Sequence, residues 1–509
     1  MSERIWDAIV IGTGIGGGTA GRALAEKGLS VLFLEKGHRG YRTEANGGAA
    51  IADPFARALR GWWPDPVKSR MNGRTTEFFA PLGAGVGGSS VFYAGALERP
   101  EPHDLDDLPG RPHPTGGWPV GYADFQPYFD AAEAMYCVSG GADPLSYVTC
   151  PMVAQPRPLP PGDDVLMEKL RRNGIHPYQM HSAIRHLDGC LECRGSKCPR
   201  DCKMDARSAG VEPALATGHA ELIDRCEVIR LEMANRQVAA IHAKRDGETL
   251  VLRARQVVLA AGALSSPRLL MASGVPDASG LMGRNLMFHL NEIFAVWPGR
   301  SAGYTGPSKE VAFRDLYYAH GQRLGMVQAM GLDARYGEIM HMLRQRLARS
   351  ALRNSRLLRE GVRLPALLAE RVLGQAKVFV GLLEDLPQAS NRILFDRDRL
   401  DRITFEYQVP TELFARRRLF RRLIRRAFRG RPIMFLTHSP EPNFGHPCGT
   451  LRFGDDPATS VLDRKCRPHG LSNLFVLDAS FFPTSMGVNP SLTIAANALR
   501  VVDWIGESG

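Results

Sequence analysis

The amino-acid sequence predicts a mixed α/β fold that opens with a strand–helix–strand unit and contains a further, separate module. Three observations support this fold class. An apolar run, a glycine-rich turn and a helix open the chain; residues 226–260 alternate as strands do; and residues 441–509 return to glycine turns, an apolar strand and a final helix. The 509 residues are enough for two or more domains.

The first predicted element is a strand at residues 6–11, WDAIVI, followed by a glycine turn, a helix and a second strand in SVLFLEKG. Gly12, Gly14 and Gly17 form the pattern G-x-G-x-x-G, and Glu35 closes the second strand. The first glycine permits the tight turn, the second lets a pyrophosphate approach the backbone, and the third lets the helix pack on the strand. The acid accepts a hydrogen bond from a ribose hydroxyl and disfavours a 2′-phosphate. The unit therefore predicts FAD or NAD binding, rather than NADP.

The composition excludes several classes of protein. The chain carries 64 Lys and Arg against 53 Asp and Glu, a net charge of +11, but no nucleic-acid motif accompanies this excess. No apolar run approaches the roughly 20 residues that a membrane-spanning helix needs. The nine cysteines do not resemble an exported disulfide framework, and the chain enters its first strand at once, so we expect a cytoplasmic protein. Export together with a signal-bearing partner is the exception.

Much of the positive charge falls in two segments with helical spacing, residues 343–364 and 413–432. In the first, leucines lie between Arg346, Arg349, Arg353, Arg356 and Arg363. In the second, one face collects Phe420, Leu423, Ile424, Ala427 and Phe428. Such basic amphipathic helices suit a peripheral contact with an anionic membrane surface or an acidic partner. The alternative is a solvated arginine face on an ordinary packed helix.

Three later stretches carry a family resemblance: PLGAGVGGSSVFYAGALERP at 81–100, AAGALSSPRLLMASG at 260–274, and the segment 445–500. In order and spacing they resemble the glucose–methanol–choline (GMC) oxidoreductases. The resemblance implies FAD as the cofactor and a Rossmann-type FAD-binding domain. It also implies a substrate domain in which an antiparallel sheet covers the isoalloxazine ring.

The expected domain division follows the motifs. The FAD-binding domain is placed at 1–285, including the glycine-rich loop 81–100 and the cysteine-rich segment 187–208. The substrate domain, with both basic helices, is placed at 286–440. The segment 441–509 is expected to return to the FAD-binding domain and to carry the catalytic pair.

The resemblance also implies individual FAD contacts. It places the ADP half against Gly12, Gly14, Gly17 and Glu35, the adenine against the backbone of Val228, and the flavin against Gly83, Gly87, Gly88 and Ser89. Asp478 and Ala479 fall on the ribityl–pyrophosphate side, and Pro490 opens the helix that points at the cofactor. Tyr93 stands where many relatives carry asparagine. Phe92 stands where some carry a histidine that tethers FAD covalently, so a non-covalent flavin is expected.

Oxidation of an alcohol requires a base for the hydroxyl proton while the carbon loses a hydride, and the pKa of histidine suits that base. In the family the base is the histidine of H-x-x-G-T, here His446 in HPCGT, and its partner position is Asn489 in GVNPSLTI. An amide cannot titrate, so His446 is expected to be the single base and Asn489 to hold the substrate oxygen. Asn489 and Pro490 are predicted as N-cap and first residue of the final helix, whose positive end would stabilise a reduced flavin.

Four cysteines lie within thirteen positions of LDGCLECRGSKCPRDCKMDARS: Cys190, Cys193, Cys198 and Cys202. A similar C-x4-C-x3-C run, preceded by an adjacent cysteine, occurs in iron–sulfur-containing bacterial GMC dehydrogenase subunits that pass electrons to a cytochrome. Here the extra cysteine, Cys190, is displaced by two residues. Four crowded thiolates also suit tetrahedral zinc. Iron–sulfur cluster, zinc, and thiols or a disulfide without metal therefore stay open.

The resulting expectation is an FAD-dependent alcohol dehydrogenase that transfers a hydride to flavin N5 and passes electrons to an acceptor other than NAD, either a protein or a quinone. One alternative is an O₂-using alcohol oxidase with a sterol- or lipid-like substrate. Another is an FAD-containing hydroxynitrile lyase, which performs no net redox chemistry. The sequence leaves open whether the alcohol is lipid-like or a polyol or sugar.

Overall fold

The computed structural model describes residues 4–43, 53–299, 308–331, 339–340, 343–344, 347, 355–373, 376–397 and 402–506. Its strands in chain order are β1 Ile5–Ile11, β2 Val31–Leu34, β3 Val67–Met71, β4 Arg74–Phe78, β5 Tyr178–Gln179, β6 Ala220–Ile223, β7 Cys226–Ala234, β8 Gln237–Arg245, β9 Glu248–Leu259, β10 Leu290–Val296, β11 Val311–Phe313, β12 Tyr318–Ala319, β13 Gln322–Arg323, β14 Val327–Ala329, β15 Lys377–Leu383, β16 Arg392–Leu394, β17 Thr404–Tyr407, β18 Ile433–Phe435 and β19 Leu474–Val476.

The α-helices connect and cover these strands. In chain order they are α1 Ile15–Glu26, α2 Pro54–Leu59, α3 Pro102–Leu105, α4 Tyr122–Met135, α5 Pro161–Arg172, α6 Glu212–Ala216, α7 Ser266–Ala272, α8 Arg356–Gly361, α9 Arg363–Leu373, α10 Thr411–Ala427 and α11 Ser491–Gly506. A short 3₁₀ helix at Gly88–Phe92 lies in the glycine-rich loop, and a π-helix at Ala206–Val211 follows the cysteine-rich segment.

The first sheet has the strand order β6-β2-β1-β9-β19, and all of these pairs are parallel. β9 also pairs with β8, and β8 with β7, in an antiparallel extension. The apolar runs of β1 and β2 are buried, as expected where helices cover both faces of a parallel sheet. The predicted strand–glycine turn–helix–strand unit is confirmed as β1, α1 and β2.

The second sheet is antiparallel and has the strand order β18-β10-β15-β14-β11-β5. Ala312, Met326, Val380 and Leu382 on one side join the core of the first sheet. Residues of the other side, such as Phe294 and Phe379, form a second core together with α10. The mixed α/β fold class, with a parallel nucleotide-type sheet and an antiparallel second sheet, is confirmed.

Several pairings cross the expected domain limits. β3 and β4 lie within 1–285 but form a sheet with β16 and β17, and β5 joins the sheet of the 286–440 range. β19, from the 441–509 range, extends the first sheet through β9. The three-part division stays a prediction. The pairings show that each of the three parts shares a sheet with strands of another part.

The second basic segment forms α10, with its apolar face in the core. Phe420 and Ile424 are fully buried and pack beneath the antiparallel sheet. Even part of the arginine face is internal, since Arg417 pairs with the buried Glu292 and Arg416 donates 2.8 Å hydrogen bonds to two backbone carbonyls. This geometry favours the packed-helix interpretation of α10 over a membrane-bound one.

The first basic segment lies mostly outside the described residues. Its described part includes α9, on which Leu364 and Leu368 are exposed beside the equally exposed Arg363. Membrane contact through this segment stays a prediction. Within the described ranges, no helix is both long and apolar enough to cross a bilayer.

Phe420→Ala tests the placement of α10. Removing a fully buried phenylalanine should lower the free energy of unfolding by about 3–5 kcal/mol, because it leaves a cavity between the helix and the sheet. Urea denaturation of the FAD-loaded protein measures the change. Arg422→Ala, on the exposed face of the same helix, is the control and should change stability by less than about 0.5 kcal/mol. Equal, small effects of both substitutions would contradict the packing.

Candidate active site

The glycine turn after β1 has the shape that a pyrophosphate site requires. Gly12 has a φ of 92°, and a Cβ there would lie 2.5 Å from the carbonyl oxygen of Ala260. A Cβ on Gly17 would lie 2.0 Å from the carbonyl oxygen of Gly12, so Gly17 serves helix packing. Gly14 meets nothing within 4 Å on its Cβ side and opens on the cavity at the start of α1. The turn thus presents bare backbone and a helix N-terminus, which suit a phosphate group.

Glu35 follows β2 and is 5% exposed. One carboxylate oxygen accepts hydrogen bonds from the hydroxyl and the N–H of Thr13, at 2.5 and 3.2 Å, and the other accepts from the N–H of Gly37 at 2.9 Å. Burial raises the pKa of Glu35, against the effect of these hydrogen bonds. A carboxylate offers about four acceptor positions, so one remains for a ribose hydroxyl.

The glycine-rich loop packs directly on the turn. Gly88 has a φ of 56°, and a Cβ there would lie 2.9 Å from the Cα of Gly14. Gly87 has a φ of 95°, and its N–H donates to the hydroxyl of Thr13 at 3.1 Å. The N–H of Gly83 donates to the hydroxyl of Ser89 at 2.9 Å. The loop and the β1–α1 turn therefore form one surface.

A cavity of about 330 Å³ runs along this surface. The predicted residues on its wall are Gly12, Gly14, Glu35, Gly83, Gly88, Ser89, Val228, His446, Asp478, Ala479 and Pro490. Gly17, Gly87 and Asn489 are not among its lining residues. Gly17 and Gly87 lie behind the wall that they shape, while Asn489 directly precedes Pro490. The lining residues of the cavity, the glycine turn and the acid fit FAD.

Asp478 holds the wall together through its side chain. One carboxylate oxygen accepts from the N–H of Gly262 and the hydroxyl of Ser266, at 2.9 and 2.5 Å. The other accepts from the N–H and the hydroxyl of Ser480, at 2.9 and 2.5 Å. The carboxylate is therefore committed to structure, and this part of the chain presents backbone to the cavity.

Phe92 stacks on Trp62 with ring centroids 3.5 Å apart. The neighbouring Tyr93 lines the cavity, and its hydroxyl donates to the carbonyl of Met204 at 2.6 Å. Phe92 has no nucleophilic atom, and the Tyr93 hydroxyl is engaged by the carbonyl of Met204. The geometry at this position therefore agrees with a non-covalent flavin.

His446 sits on the cavity wall and contacts a second histidine that sequence reasoning missed. The Nδ1 atoms of His446 and His289 are 3.1 Å apart, and Nε2 of His289 is 2.9 Å from the carbonyl oxygen of Met486. That carbonyl can only accept, so His289 carries its proton on Nε2 and offers a lone pair at Nδ1. His446 must then donate from Nδ1, which leaves its Nε2 lone pair free to act as a base.

Asn443 competes for the same atom of His446. Its side-chain nitrogen is 3.2 Å from His446 Nδ1, and its oxygen accepts from the N–H of Gly445 at 3.1 Å. If His446 accepted from Asn443, two lone pairs would face each other between the histidines. Because His289 is fully buried and Asn443 is partly exposed to water, the contact between the histidines decides the tautomer.

The environment keeps both histidines neutral. Burial lowers the pKa of His289 to about 4. Burial, followed by the charges of His289 and Lys309, holds the pKa of His446 well below its usual range. Lys309 is 7% exposed and was also missed by sequence reasoning, because its proximity to His446 arises only in the folded chain.

Asn489 is 8% exposed, and its buried side-chain oxygen has no hydrogen-bond partner among the residues that the structure describes. The prediction that Asn489 is the N-cap is wrong by one residue. α11 begins at Ser491, and Pro490 accepts the first helical hydrogen bond, from the N–H of Ile494 at 3.1 Å. The amide is therefore not used in capping and is available to a substrate.

The four cysteines lie close enough to influence one another's thiol pKa: burial, then Cys198 and Cys190, raise that of Cys193, and burial, then Cys190 and Cys198, raise that of Cys202. All four are free thiols. A single tetrahedral zinc, with Zn–S bonds of about 2.3 Å, needs sulfurs about 3.8 Å apart. In the described chain no three of these sulfurs lie within 4.8 Å of one another. The thiols as placed are therefore farther apart than the ligands of a single zinc ion, and the choice between cluster, zinc and metal-free thiols stays a prediction.

Lys203 ties the cysteine segment to the glycine-rich loop. Its buried ammonium donates to the carbonyls of Val91 and Cys193, at 2.6 and 2.9 Å. At Cys198, burial is outweighed by N–H groups of Lys203, Arg200 and Cys202, which hold the thiol pKa below its ordinary value. The segment thus joins the glycine-rich loop through Lys203 and contains a thiol whose pKa is lowered.

One other group of metal-type ligands exists among the described residues: His186, Glu192 and Glu310 have ligand atoms within 4.8 Å of one another. Arg157 pairs with both acids, at 2.7 Å in the case of Glu310, and Arg194 pairs with Glu192. The two arginines already neutralise the carboxylates. The cluster is therefore an ion-pair network and not a metal site.

Comparison with known proteins agrees with this geometry. The family model described as GMC oxidoreductase matches residues 7–291, more than half of the chain, and its C-terminal counterpart matches residues 414–498. The chain belongs to the GMC oxidoreductase family. It is an enzyme, an FAD-containing oxidoreductase.

Relatives match along nearly the whole chain. Paromamine 6′-oxidase of Streptomyces fradiae is 28% identical over 536 residues, covering 98% of this chain and 91% of that protein. 2-Methyl-1,2-propanediol dehydrogenase of Mycolicibacterium austroafricanum is 27% identical and covers 98% and 95%. The crystal structure of a pyridoxine 4-oxidase has a TM-score of 0.64 at 19% identity, over 98% of this chain and 99% of that one. This last likeness concerns the fold.

Acid precipitation tests the non-covalent flavin. Trichloroacetic acid should release all FAD into the supernatant, because Phe92 cannot form the bond that a histidine forms. Absorbance of the supernatant and of the pellet measures the partition. A covalent flavoprotein treated in parallel is the control, and yellow colour retained in the pellet would contradict the prediction.

Proposed function

We propose that this enzyme oxidises the CH–OH group of an alcohol to a carbonyl, with FAD as hydride acceptor and His446 as the base. The observation that carries the proposal is the hydrogen-bond chain from Met486 through His289 to His446. It supports a free Nε2 lone pair on the wall of the FAD-type cavity. A neutral imidazole in this tautomer is the form that a proton-accepting role requires.

The chain's own residues have separate roles in the proposed oxidation. FAD, when bound, supplies the site that accepts the hydride from the carbinol carbon. Nε2 of His446 takes the hydroxyl proton, so the alcohol loses one hydride and one proton and becomes a carbonyl. The side-chain N–H of Asn489 donates a hydrogen bond to the substrate oxygen, whose own proton is then directed at Nε2 of His446. The N-terminus of α11 adds positive potential at the same end of the cavity.

His446→Gln tests the base. The variant should reduce the rate of anaerobic flavin bleaching by alcohols about 10²–10⁴-fold, because no group replaces the proton acceptor. Stopped-flow absorbance of the FAD band measures the rate. His438→Gln, the same substitution at an exposed histidine, should leave the rate unchanged. Bleaching at the wild-type rate in His446→Gln would overturn the assignment, and absence of bleaching by any alcohol would favour a non-redox lyase.

The pH profile gives the base test a second readout. Because the pKa of His446 lies below its usual range, kcat/KM should stay high at neutral pH and fall only as the pH drops through that lowered pKa. His289 and Lys309 are the nearby titratable groups that set the pH at which kcat/KM falls on the acidic side. Lys309→Met should shift the limb to higher pH, since it removes a positive charge that opposes protonation of His446.

We further propose that electrons leave through the cysteine segment, with Cys190, Cys193, Cys198 and Cys202 holding an iron–sulfur cluster, towards a protein or quinone acceptor. The specific support is the link through Lys203 between this segment and the cavity loop. The sulfurs of the described cysteines are farther apart than those around a single zinc ion, and backbone N–H groups lower the pKa of Cys198. Both features suit a larger thiolate-bound centre. Such a cluster, when present, would supply one-electron transfer.

Metal analysis of anaerobically purified enzyme tests this second proposal. Iron and acid-labile sulfide should be present at about three or four per FAD. Cys198→Ser should lose the iron and keep FAD, whereas Cys137→Ser, at an exposed cysteine outside the segment, should keep both. Zinc, or no metal, in the wild-type protein would contradict the cluster and make O₂ the first acceptor to assay.

A further inference from the structure

The antiparallel sheet carries buried polar groups on the face that packs against the core shared with the parallel sheet. Ala312, Gln328, Val380 and Ile293 are successive neighbours across β11, β14, β15 and β10. Ala312 and Val380 belong to the core shared with the parallel sheet, and Ile293 packs against it. Gln328 lies between them in the same row, so its side chain shares that face.

Gln328 is only 2% exposed, and its side-chain oxygen is buried without a partner. Its amide makes no hydrogen bond to any described residue. Burying an amide in this way is costly unless something completes its hydrogen bonds. The other three residues of the row are Ala, Val and Ile, and apolar packing alone does not require a glutamine among them.

Asn291 repeats the same feature closer to the base. Because side chains alternate along β10, Asn291 shares a face with Ile293. It lies two residues after His289, which contacts His446. The side-chain oxygen of Asn291 is buried and, within the described ranges, also unpaired. Two amides with open hydrogen-bonding positions among the described residues therefore share one sheet face, on which β10 directly follows His289.

Lys309 adds an unpaired cation. It is 7% exposed, and among the described residues no carboxylate or carbonyl pairs with its ammonium. It lies two residues before β11 and close enough to His446 to act on its charge. Burial, then Arg194, lowers the pKa of Lys309 to about 7, as expected for an amine without a partner.

We propose that Asn291 and Gln328 form a subsite for the hydroxyl groups of a polyhydroxylated, uncharged alcohol, a sugar or polyol, and that Lys309 excludes positively charged alcohols. This inference rests on the proposed alcohol oxidation and names its substrate class. Hydroxyls both donate and accept, so they can satisfy amide oxygens, amide N–H groups and the ammonium together. A sterol offers one hydroxyl and would leave the amides unpaired. An amino or quaternary ammonium alcohol would meet the unpaired cation.

Gln328→Leu and Asn291→Leu test the subsite by removing the amides while keeping the side-chain size. Sorbitol and fructose serve as polyhydroxylated probes, and 1-octanol as an apolar one. With the FAD-loaded wild-type enzyme, kcat/KM should be highest for a polyhydroxylated probe. Each variant should lower kcat/KM for that probe about ten-fold and change the 1-octanol value by less than about three-fold.

Gln256→Leu is the matched control, because Gln256 in β9 also has a buried, unpaired side-chain oxygen but belongs to the other sheet. It should leave both probes unchanged. Equal loss for both probes, or preference for 1-octanol or cholesterol with no effect of Gln328→Leu, would overturn the subsite while leaving alcohol oxidation intact. Failure of every alcohol to bleach the flavin would instead overturn the proposed function itself.

Choline and its uncharged isostere 3,3-dimethyl-1-butanol test Lys309 with matched shapes. Below pH 7, where Lys309 is mostly protonated because its pKa is about 7, the wild-type enzyme should prefer the uncharged alcohol at least ten-fold in kcat/KM. Lys309→Met should reduce that preference, because the opposing charge is gone. A wild-type preference for choline, or an unchanged ratio in Lys309→Met, would overturn the role of Lys309.

Discussion

The contact between His289 and His446 is the interaction on which the active site depends. His289 directly precedes β10 in the antiparallel sheet, and His446 comes from the C-terminal segment that returns to the parallel sheet. Met486, in the loop before α11, fixes the proton of His289. Three distant parts of the chain thus define one tautomer. Since burial holds His289 neutral, the contact cannot turn into a repulsion between two cations at neutral pH.

Buried ion pairs hold these parts in register. Arg314, just after β11, pairs with Glu98 and Glu101 at 2.8 and 2.9 Å, next to the glycine-rich loop. Arg323 pairs with Asp104 and Glu384 at 3.1 and 2.9 Å. Losing one partner would leave a buried charge unpaired, which costs several kcal/mol, roughly 3–5. The loop that shapes the flavin cavity is therefore fixed to the sheet that carries the unpaired amides.

Local patterns predicted the parts of the site that depend on neighbouring residues. The glycine turn, Glu35 and the final helix follow from spacing alone, because each glycine acts within its own strand–turn–helix unit. Asn489 shows the limit of such patterns, since the helix begins two residues later and the side chain of Asn489 does not cap it. His289, Gln328 and Lys309 gave no signal, because their roles arise from contacts between residues far apart in sequence. For α10, charge periodicity could not reveal that its apolar face meets a sheet and not a membrane.

Nitrogen-15 NMR of histidine-labelled, FAD-loaded enzyme at neutral pH tests the central claim most directly. The spectrum of His446→Gln identifies the resonances of His446 by difference. A free, active base fixed by His289 predicts a proton on Nδ1 of His446 and an unprotonated Nε2. A proton on Nε2, or a fully protonated ring at neutral pH, would contradict the account, because the atom assigned to the substrate proton would already carry one.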